Sequence, residues 1–230
     1  MSHQLTTLNS IRANLDQVRR RIAQACQRAG RAPEQITIVA VTKGVSPEAI
    51  QAAFYAGVRH FGENRVQETQ GKWEQLLSLE PRPVWHFVGH LQTNKIEAAL
   101  RLFDIIHSVD SLKLAEALNQ RAQSKIPVFL EVNIAGEATK SGFLPNQVEV
   151  AFQKIHLLPE LEVKGLMTVA PQAANAEEVR PFFRQMHQLA KTLGLSELSM
   201  GMSDDFEVAI EEGATMVRLG RVIFRANINR

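Results

Sequence analysis

Two parts of the sequence carry residues that could do chemistry, and the first is a lysine that follows a short apolar run. Residues 38–41 read Ile-Val-Ala-Val, and Thr42-Lys43-Gly44 comes directly after them. A β-branched run of this kind is typical of a buried strand, so we expect Lys43 at the strand's carboxyl end. Partial burial there would favour the neutral amine, the form that attacks a carbonyl carbon to give a Schiff base. The alternative is a structural lysine that extends its charge into water along an apolar stem.

The second part lies near the carboxyl end of the chain and has the composition of a phosphate-binding site. Gly201 and Ser203 follow one apolar run, and Gly220 follows the next. Glycines let the backbone approach a ligand, and a serine at a helix start offers a hydroxyl and amide donors. Asp204 and Asp205 would repel a phosphate, so we expect them to point away as helix-cap or first-turn acids. A plain capped turn is the alternative, but both parts together suit an aldehyde that carries a phosphate.

Three further side chains could belong to a site. Asn64 follows another apolar run and either reaches the same site as a neutral hydrogen-bonding group or forms a turn. His86 and His90 are four residues apart, the spacing at which two metal ligands share one face of a helix. Their segment has the pattern of a strand and loop instead, and no carboxylate completes a ligand set, so we expect no metal site.

Short apolar runs alternate with longer amphipathic stretches, and this alternation predicts the elements that position these residues. The predicted strands are residues 36–41, 58–61, 84–88, 103–108, 128–134, 163–169, 198–202 and 215–219. The predicted helices are residues 4–29, 47–56, 94–102, 112–123, 145–158, 176–193 and 205–212, and Ser46 before Pro47 is a helix cap.

Eight such units predict an α/β fold: a single closed (β/α)8 barrel domain over residues 1–230, with helix 4–29 as an extra element outside it. The open doubly wound alternative would need about five or six strands and a Gly-x-Gly-x-x-Gly fingerprint, which the sequence lacks. In a barrel the site lies at the carboxyl ends of the strands, where Lys43 and the glycine loops are expected to face each other across the mouth.

The composition excludes several classes of function. Of 230 residues 45% are hydrophobic and the formal net charge is +2, too small an imbalance to indicate a nucleic-acid partner. Cys26 is the one cysteine, so no disulfide framework is possible. No apolar run approaches the ~20 residues of a membrane span, and the polar start of the chain lacks a signal-peptide core. We therefore expect a cytoplasmic protein.

Several segments together resemble a known family. They are residues 40–43, 62–68, 85–95, 165–167, 199–205 and 217–220, and they resemble the pyridoxal phosphate homeostasis proteins in order and spacing along essentially the whole chain. The resemblance implies a barrel like the N-terminal domain of alanine racemase, which is fold type III among pyridoxal 5′-phosphate (PLP) proteins. It implies PLP as the cofactor, bound as a Schiff base. The cofactor-binding positions that it implies are Lys43, Asn64, Met200, Ser203, Arg218 and Gly220.

Within this resemblance, Lys43 matches the PLP-bearing lysine, Ser203 and Gly220 match the phosphate loops, and Arg218 matches the arginine at the pyridine nitrogen. One departure follows Phe224, where the family has a glycine and this chain has Arg225; it leaves the conformation of the C-terminal tail open.

The resemblance favours a non-catalytic PLP carrier that influences vitamin B6 and amino- and keto-acid pools. An arginine at the pyridine nitrogen makes the ring a weaker electron sink than a carboxylate would. Racemases of this fold take a second acid/base, a tyrosine, from another domain across a dimer interface; Tyr55, the one tyrosine here, lies in a predicted helix away from the mouth. The alternatives are a weak amino-acid racemase, with His86 or a water opposite Lys43, and a cofactor-free Schiff-base aldolase. We expect a monomer, with PLP as the bound partner.

Overall fold

The frame of the protein is a closed barrel of eight parallel strands, in a computed structural model that describes residues 2–225, with side chains from residue 8 onward. Each strand pairs with the next along the chain, and β8 closes the barrel on β1. The strands are β1 (Thr37–Val41), β2 (His60–Glu63), β3 (Val84–Phe87), β4 (Ile105–Val109), β5 (Ile126–Glu131), β6 (Leu161–Met167), β7 (Glu197–Ser199) and β8 (Met216–Leu219). The predicted barrel class is confirmed.

Helices connect the strands and form the outer layer. They are α1 (Ser2–Arg28), α2 (Pro47–Tyr55), α3 (Val66–Trp73), α4 (Ile96–Leu102), α5 (Leu112–Arg121), α6 (Val148–Ile155), α7 (Arg180–Thr192), α8 (Phe206–Glu211) and α9 (Arg221–Phe224). The predicted cap of α2 is confirmed, because the Ser46 side chain accepts from the Ala49 amide. Helix α3 was not predicted, and it has a direct part in the site described below.

Helix α1 lies outside the barrel, as predicted, and covers the seam where the last strand meets the first. It packs against α2, α8 and α9 through a buried apolar stripe that includes Ile11, Leu15 and Val18. The Asn14 side chain donates hydrogen bonds to the carbonyls of Ile223 and Arg225, 2.9 and 3.0 Å away. The beginning and the end of the described chain are therefore held together.

Every strand differs from its predicted bounds by one to three residues at one or both ends, and β2, β5 and β7 are among those that differ most. Val58 donates its amide to Ala53 at the end of α2, so the chain is still turning there and β2 starts only at His60. Strand β7 ends at Ser199, although the Met200 amide and the Gly201 carbonyl still hydrogen-bond to β8, and Gly201 then turns the chain with a φ of +91°. Strand β5 ends at Glu131, after which residues 132–143 form a loop closed on itself by a bridge between Val132 and Phe143.

The inside of the barrel is unusually polar for a fold whose interior is commonly filled by branched apolar side chains. Buried His86 and His107 hydrogen-bond to each other, and the His107 ring stacks on Phe129 with the ring centroids 4.4 Å apart. Arg218 and Ser199, from the other side of the barrel, meet the same cluster. Within residues 2–225, no helix combines the length and the apolar character needed to cross a membrane.

Candidate functional site

Four neighbouring strands, in the order β7-β8-β1-β2, bring the predicted site residues to one side of the barrel mouth. Val41 pairs with Gly62, so Lys43 and Asn64, two residues further along each chain, leave the barrel at the same level. A Cβ atom on Gly220 would lie 3.2 Å from the carbonyl oxygen of Val41, so the loop after β8 runs against the end of β1. The expected arrangement across the mouth is therefore wrong: the lysine and the glycine loops lie on adjacent strands.

Lys43 lies two residues beyond the end of β1, in a turn closed by a hydrogen bond from the Val45 amide to the Thr42 carbonyl. The residue is exposed, and the buried member of this turn is Thr42. The expected partial burial of Lys43 is wrong: β1 ends at Val41, as the apolar pattern predicts, and Lys43 lies in the exposed turn beyond it. The amine consequently lies at the mouth and is accessible to a ligand from solvent.

The turn that carries Lys43 is clamped from beneath by α3 and by the end of β2. Lys72 donates to the Thr42 carbonyl at 2.8 Å and to the Glu63 carboxylate at 2.7 Å. Thr42 itself donates its hydroxyl to the same Glu63 oxygen at 2.6 Å, and the Gly44 amide donates to Glu68 at 2.5 Å. The residues on both sides of Lys43 are thus fixed by charged partners, and Lys72 and Glu63 are both buried.

The loop after β7 is built around a glycine that no other residue could replace without movement. A Cβ on Gly201 would lie 2.6 Å from the Cβ of Ala209, and its φ is +91°. The Asp205 carboxylate accepts from the Met202 amide at 2.6 Å, which closes the turn that contains buried Ser203. This turn presents the Ser203 position beside the loop that follows β8.

The two acidic residues of this loop both have partners of their own. Asp204 is exposed and forms an ion pair with Arg221. Asp205 occupies the position before α8, but its carboxylate binds the loop backbone at Met202 instead of capping the helix. Burial raises the pKa of the Asp205 carboxyl, while this hydrogen bond and the charge of Arg218 act in the opposite direction.

Arg218 is 5% exposed and is held inside the barrel by strands β6 and β7. One terminal nitrogen donates to the Ser199 carbonyl at 2.6 Å and to its hydroxyl at 2.8 Å, and the other donates to the Thr168 carbonyl at 2.7 Å. Burial lowers the pKa of Arg218 to about 10, against the attraction of Asp205 and Glu131. The guanidinium therefore remains a fixed cation at neutral pH.

Asn64 has an unsatisfied acceptor at the mouth. Its side-chain oxygen is buried and has no hydrogen-bond partner within residues 2–225. A Cβ on Gly89 would lie 2.3 Å from the Asn64 carbonyl oxygen, so a glycine at position 89 allows the β3 loop to pack directly on the Asn64 backbone. Asn64 also lines a cavity of about 340 Å³ together with Arg65 and His90.

Met200 is placed differently from the other predicted positions. It is completely buried in the hydrophobic core cluster, and its amide donates to the Met216 carbonyl at 3.1 Å. Its side chain supports the β7 loop from within the core.

Glu131, which the sequence patterns did not single out, ends β5 on the opposite side of the barrel from β1. Burial, followed by the neighbouring charge of Asp110, raises the pKa of its carboxyl to about 7. Asp110 is paired with His90 at 3.0 Å. A carboxyl with a pKa near neutrality is a group that can both give and take a proton at physiological pH.

The two histidines weighed as metal ligands lie in different places. His86 is buried in the barrel interior, whereas His90 is exposed at the mouth beside Asp110. Tyr55 is 67% exposed at the end of α2, the end that returns to the amino-terminal side of the barrel. As expected, it lies away from the mouth. Of the tail departure, Arg225 is described and the residues after it lie outside the described part of the chain.

A parallel eight-stranded barrel, with a lysine beyond β1 and glycine-containing loops beyond β7 and β8, defines the fold class of the alanine racemase N-terminal domain. The sequence matches the family model "Alanine racemase, N-terminal domain" over residues 11–227. An alanine racemase of Clostridium difficile shares the fold, with a TM-score of 0.73 and 17% identity over 94% of this chain and 56% of that one.

Relatives with higher sequence identity show which family within this fold class the chain belongs to. The pyridoxal phosphate homeostasis protein of Aquifex aeolicus is 43% identical over 219 residues, which cover 91% of this chain and 95% of that protein. PipY of Synechococcus elongatus, whose structure is described with PLP bound, has a TM-score of 0.82 and 35% identity, over 94% of this chain and all of that one. The chain belongs to the pyridoxal phosphate homeostasis protein family.

Proposed function

We propose that this protein binds PLP reversibly through Lys43 and acts in PLP homeostasis without turning over a substrate. It would keep the free aldehyde low and so influence vitamin B6 and the amino- and keto-acid pools. The observation that carries the proposal is the clustering of Lys43, Asn64, Arg218 and the two glycine loops on four adjacent strands. Family membership and the relative with PLP bound support the same cofactor.

The residues of the mouth fit this cofactor. The amine of Lys43 is accessible, and its reaction with the aldehyde would release one water and leave a carbon–nitrogen double bond. The unpartnered oxygen of Asn64 is an acceptor available to a bound ligand. Backbone amides around Ser203 and Gly220 would hold the phosphate, at a point where a Cβ atom at position 220 would make a tight 3.2 Å contact with the Val41 carbonyl. Met200 would contribute through the loop that it supports.

Arg218 favours a PLP-binding role for the protein over a catalytic one. When bound, PLP supplies an electron sink whose strength depends on protonation of its ring nitrogen. Arg218 is buried, cationic and restricted to donating hydrogen bonds, so beside that nitrogen it would disfavour protonation. The site would hold the aldehyde while giving little assistance to bond cleavage next to an amine.

One observation favours the alternative, an amino-acid racemase with weak or narrow activity. Glu131, on the strand opposite β1, has a pKa near 7 and could be the second proton-transfer group facing Lys43. The two functions separate when amino acids are incubated with the protein in deuterium oxide. Exchange of the α-hydrogen that is lost in Glu131→Gln would establish the racemase; we expect no exchange.

The cofactor proposal is tested by an absorbance spectrum of the protein with PLP beside Lys43→Ala and a matched control, Lys113→Ala. Lys113 is an exposed lysine of α5. We expect the Schiff-base band of wild type to persist in the control and to vanish in Lys43→Ala. A band that survives in Lys43→Ala would place the attachment elsewhere, and a colourless wild type would overturn PLP binding.

Three expectations stay predictions. A cytoplasmic location would be checked by fractionation, a monomeric state by light scattering, and the absence of a nucleic-acid partner by a filter-binding assay at low salt. The small net charge of +2 supports the last of these.

A further inference from the structure

Three histidines from three consecutive strands form a hydrogen-bonded row through the barrel interior. The His60 Nδ1 atom lies 2.9 Å from His86 Nε2, and His86 Nδ1 lies 2.8 Å from His107 Nε2. His86 and His107 are fully buried, whereas His60, the first residue of β2, is only partly buried at the amino-terminal end of the barrel. The row therefore runs from the end opposite the mouth towards the barrel centre.

The row continues to the arginine of the proposed site. His107 Nδ1 lies 2.9 Å from the Ser199 hydroxyl, and that hydroxyl is 2.8 Å from a terminal nitrogen of Arg218. Five polar residues from β2, β3, β4, β7 and β8 are thus joined end to end. Every distance is within the normal range for a hydrogen bond.

The donors and acceptors give this hydrogen-bond chain one direction, in which each group donates to the next from Arg218 towards His60. A guanidinium can only donate, so the Ser199 hydroxyl accepts from Arg218. The hydroxyl proton then has one acceptor within residues 2–225, which is His107 Nδ1. His107 must therefore carry its proton on Nε2 and donate it to His86. The reverse arrangement would leave a fully buried hydroxyl proton without an acceptor, which is unfavourable.

The same reasoning applies to the remaining histidines. His86 accepts on Nδ1, carries its proton on Nε2 and donates it to His60 Nδ1. Burial lowers the pKa of His86 to about 3 and that of His107 well below its ordinary value, so both rings are neutral at physiological pH. A neutral imidazole has one donor and one acceptor, as this chain requires.

We propose that His60, His86, His107 and Ser199 are positioning residues: they form a one-directional hydrogen-bond chain that fixes the orientation of Arg218 under the mouth. The part of this inference that concerns the cofactor rests on the proposed function, since there Arg218 faces the ring nitrogen. Within residues 2–225, Arg218 donates to the Ser199 carbonyl and hydroxyl and to the Thr168 carbonyl, and these three hydrogen bonds use three of its five donors.

The direction of the chain is tested without cofactor, by long-range proton–nitrogen correlation spectra of protein labelled with ¹⁵N-histidine. We expect His60, His86 and His107 as neutral Nε2–H tautomers at pH 7. An Nδ1–H tautomer at His107 or His86 in wild type would overturn the proposal.

Two variants test which end sets the direction. Ser199→Ala removes the link to Arg218, so His107 should become a mixture of tautomers. Ser108→Ala is the matched control, because Ser108 is an equally buried serine of β4 outside the chain. His60→Gln removes the far end and should leave His86 and His107 unchanged. A His107 signal that is the same in Ser199→Ala and Ser108→Ala would refute the inference.

Cofactor binding gives a second readout. Loss of one buried hydrogen bond to the charged Arg218 should weaken PLP binding about tenfold in Ser199→Ala and leave Ser108→Ala unchanged. A wild type that shows the predicted tautomers but binds no PLP would contradict the proposed function. The inference about the hydrogen-bond chain would still stand. Unchanged affinity in Ser199→Ala would show that the chain does not position Arg218 for the cofactor.

Discussion

Replacing Lys72 by methionine should destabilise the protein strongly although position 72 lies beneath the mouth and not in it. The change keeps an unbranched side chain, one atom shorter than lysine, and removes its charge and donors. Lys72 is bonded to the Thr42 carbonyl at 2.8 Å and to the Glu63 carboxylate at 2.7 Å, and Glu63 has no exposed surface. The variant leaves a buried carboxylate without its cation, which costs about 3 to 5 kcal/mol.

The measurement is chemical denaturation followed by tryptophan fluorescence, since Trp73 and Trp85 pack against each other beside α3, with ring centroids 5.5 Å apart. A domain of this kind is stable by about 5 to 15 kcal/mol, so the midpoint of unfolding should fall by a large fraction. Lys164→Met is the matched control: its ion pair with Glu162 is exposed and should contribute no more than about 1 kcal/mol.

The reasoning attributes the loss to an unpaired buried charge, so removing that charge should restore stability. Adding Glu63→Gln to Lys72→Met should recover at least half of the loss, because the amide needs no cation. The same reasoning predicts that Lys72→Met slows trapping of PLP by Lys43, since Thr42 loses its anchor. If Lys72→Met lowers the free energy of unfolding by less than about 1 kcal/mol, or if the double variant is less stable than Lys72→Met, then the Lys72–Glu63 ion pair does not clamp the Lys43 turn.

Three further changes have expected outcomes. The pKa of Glu131 is raised to about 7, so the folded state binds more protons than the unfolded chain between about pH 4.5 and 7. The free energy of unfolding should therefore fall as pH rises through that window, by at most about 3 kcal/mol, and this slope should disappear in Glu131→Gln when denaturation is repeated across pH. Gly201→Ala should cost about 3 kcal/mol in thermal unfolding because of its φ of +91° and a 2.6 Å contact, whereas Gly136→Ala, at φ +68° with open space, should cost about 1. Asn14→Ala should cost about 1 to 3 kcal/mol and raise hydrogen exchange at the α9 amides, and equal exchange would contradict its role in holding the chain end.

The alternation of strands and helices could be predicted because most elements follow the apolar pattern of their type. Helix α3 could not, for a physical reason. It buries Val66, Thr69 and Lys72 on one face, so two of its three buried side chains are polar and one carries a charge. An apolar stripe is the signal by which helices are recognised, and here an ion pair replaces it. The helix that holds the Lys43 turn in place is therefore the one that a search for apolar stripes misses.

The site could be predicted in part. Lys43, Asn64, Ser203 and Gly220 come to the same region because each follows a strand and parallel strands share one carboxyl end. The buried histidine row could not be predicted, because His60, His86 and His107 are separated by 26 and 21 residues, and each alone has the features of an ordinary core histidine. The role of Glu131 could not be predicted for a similar reason, because its raised pKa depends on burial that exists only in the folded barrel.

Helix α1 has a consequence for the synthesis of this chain. It is synthesised long before its partners α8 and α9, and Asn14 bonds to a residue 209 positions later. Strand β1 likewise waits for β8 to close the barrel. Through most of translation α2 is the one of these three partner helices available to the stripe of Ile11, Leu15 and Val18, so its native cover is incomplete. Complete docking of α1 and closure of the barrel are then late steps, and until they occur the nascent chain exposes apolar surface that the folded protein buries.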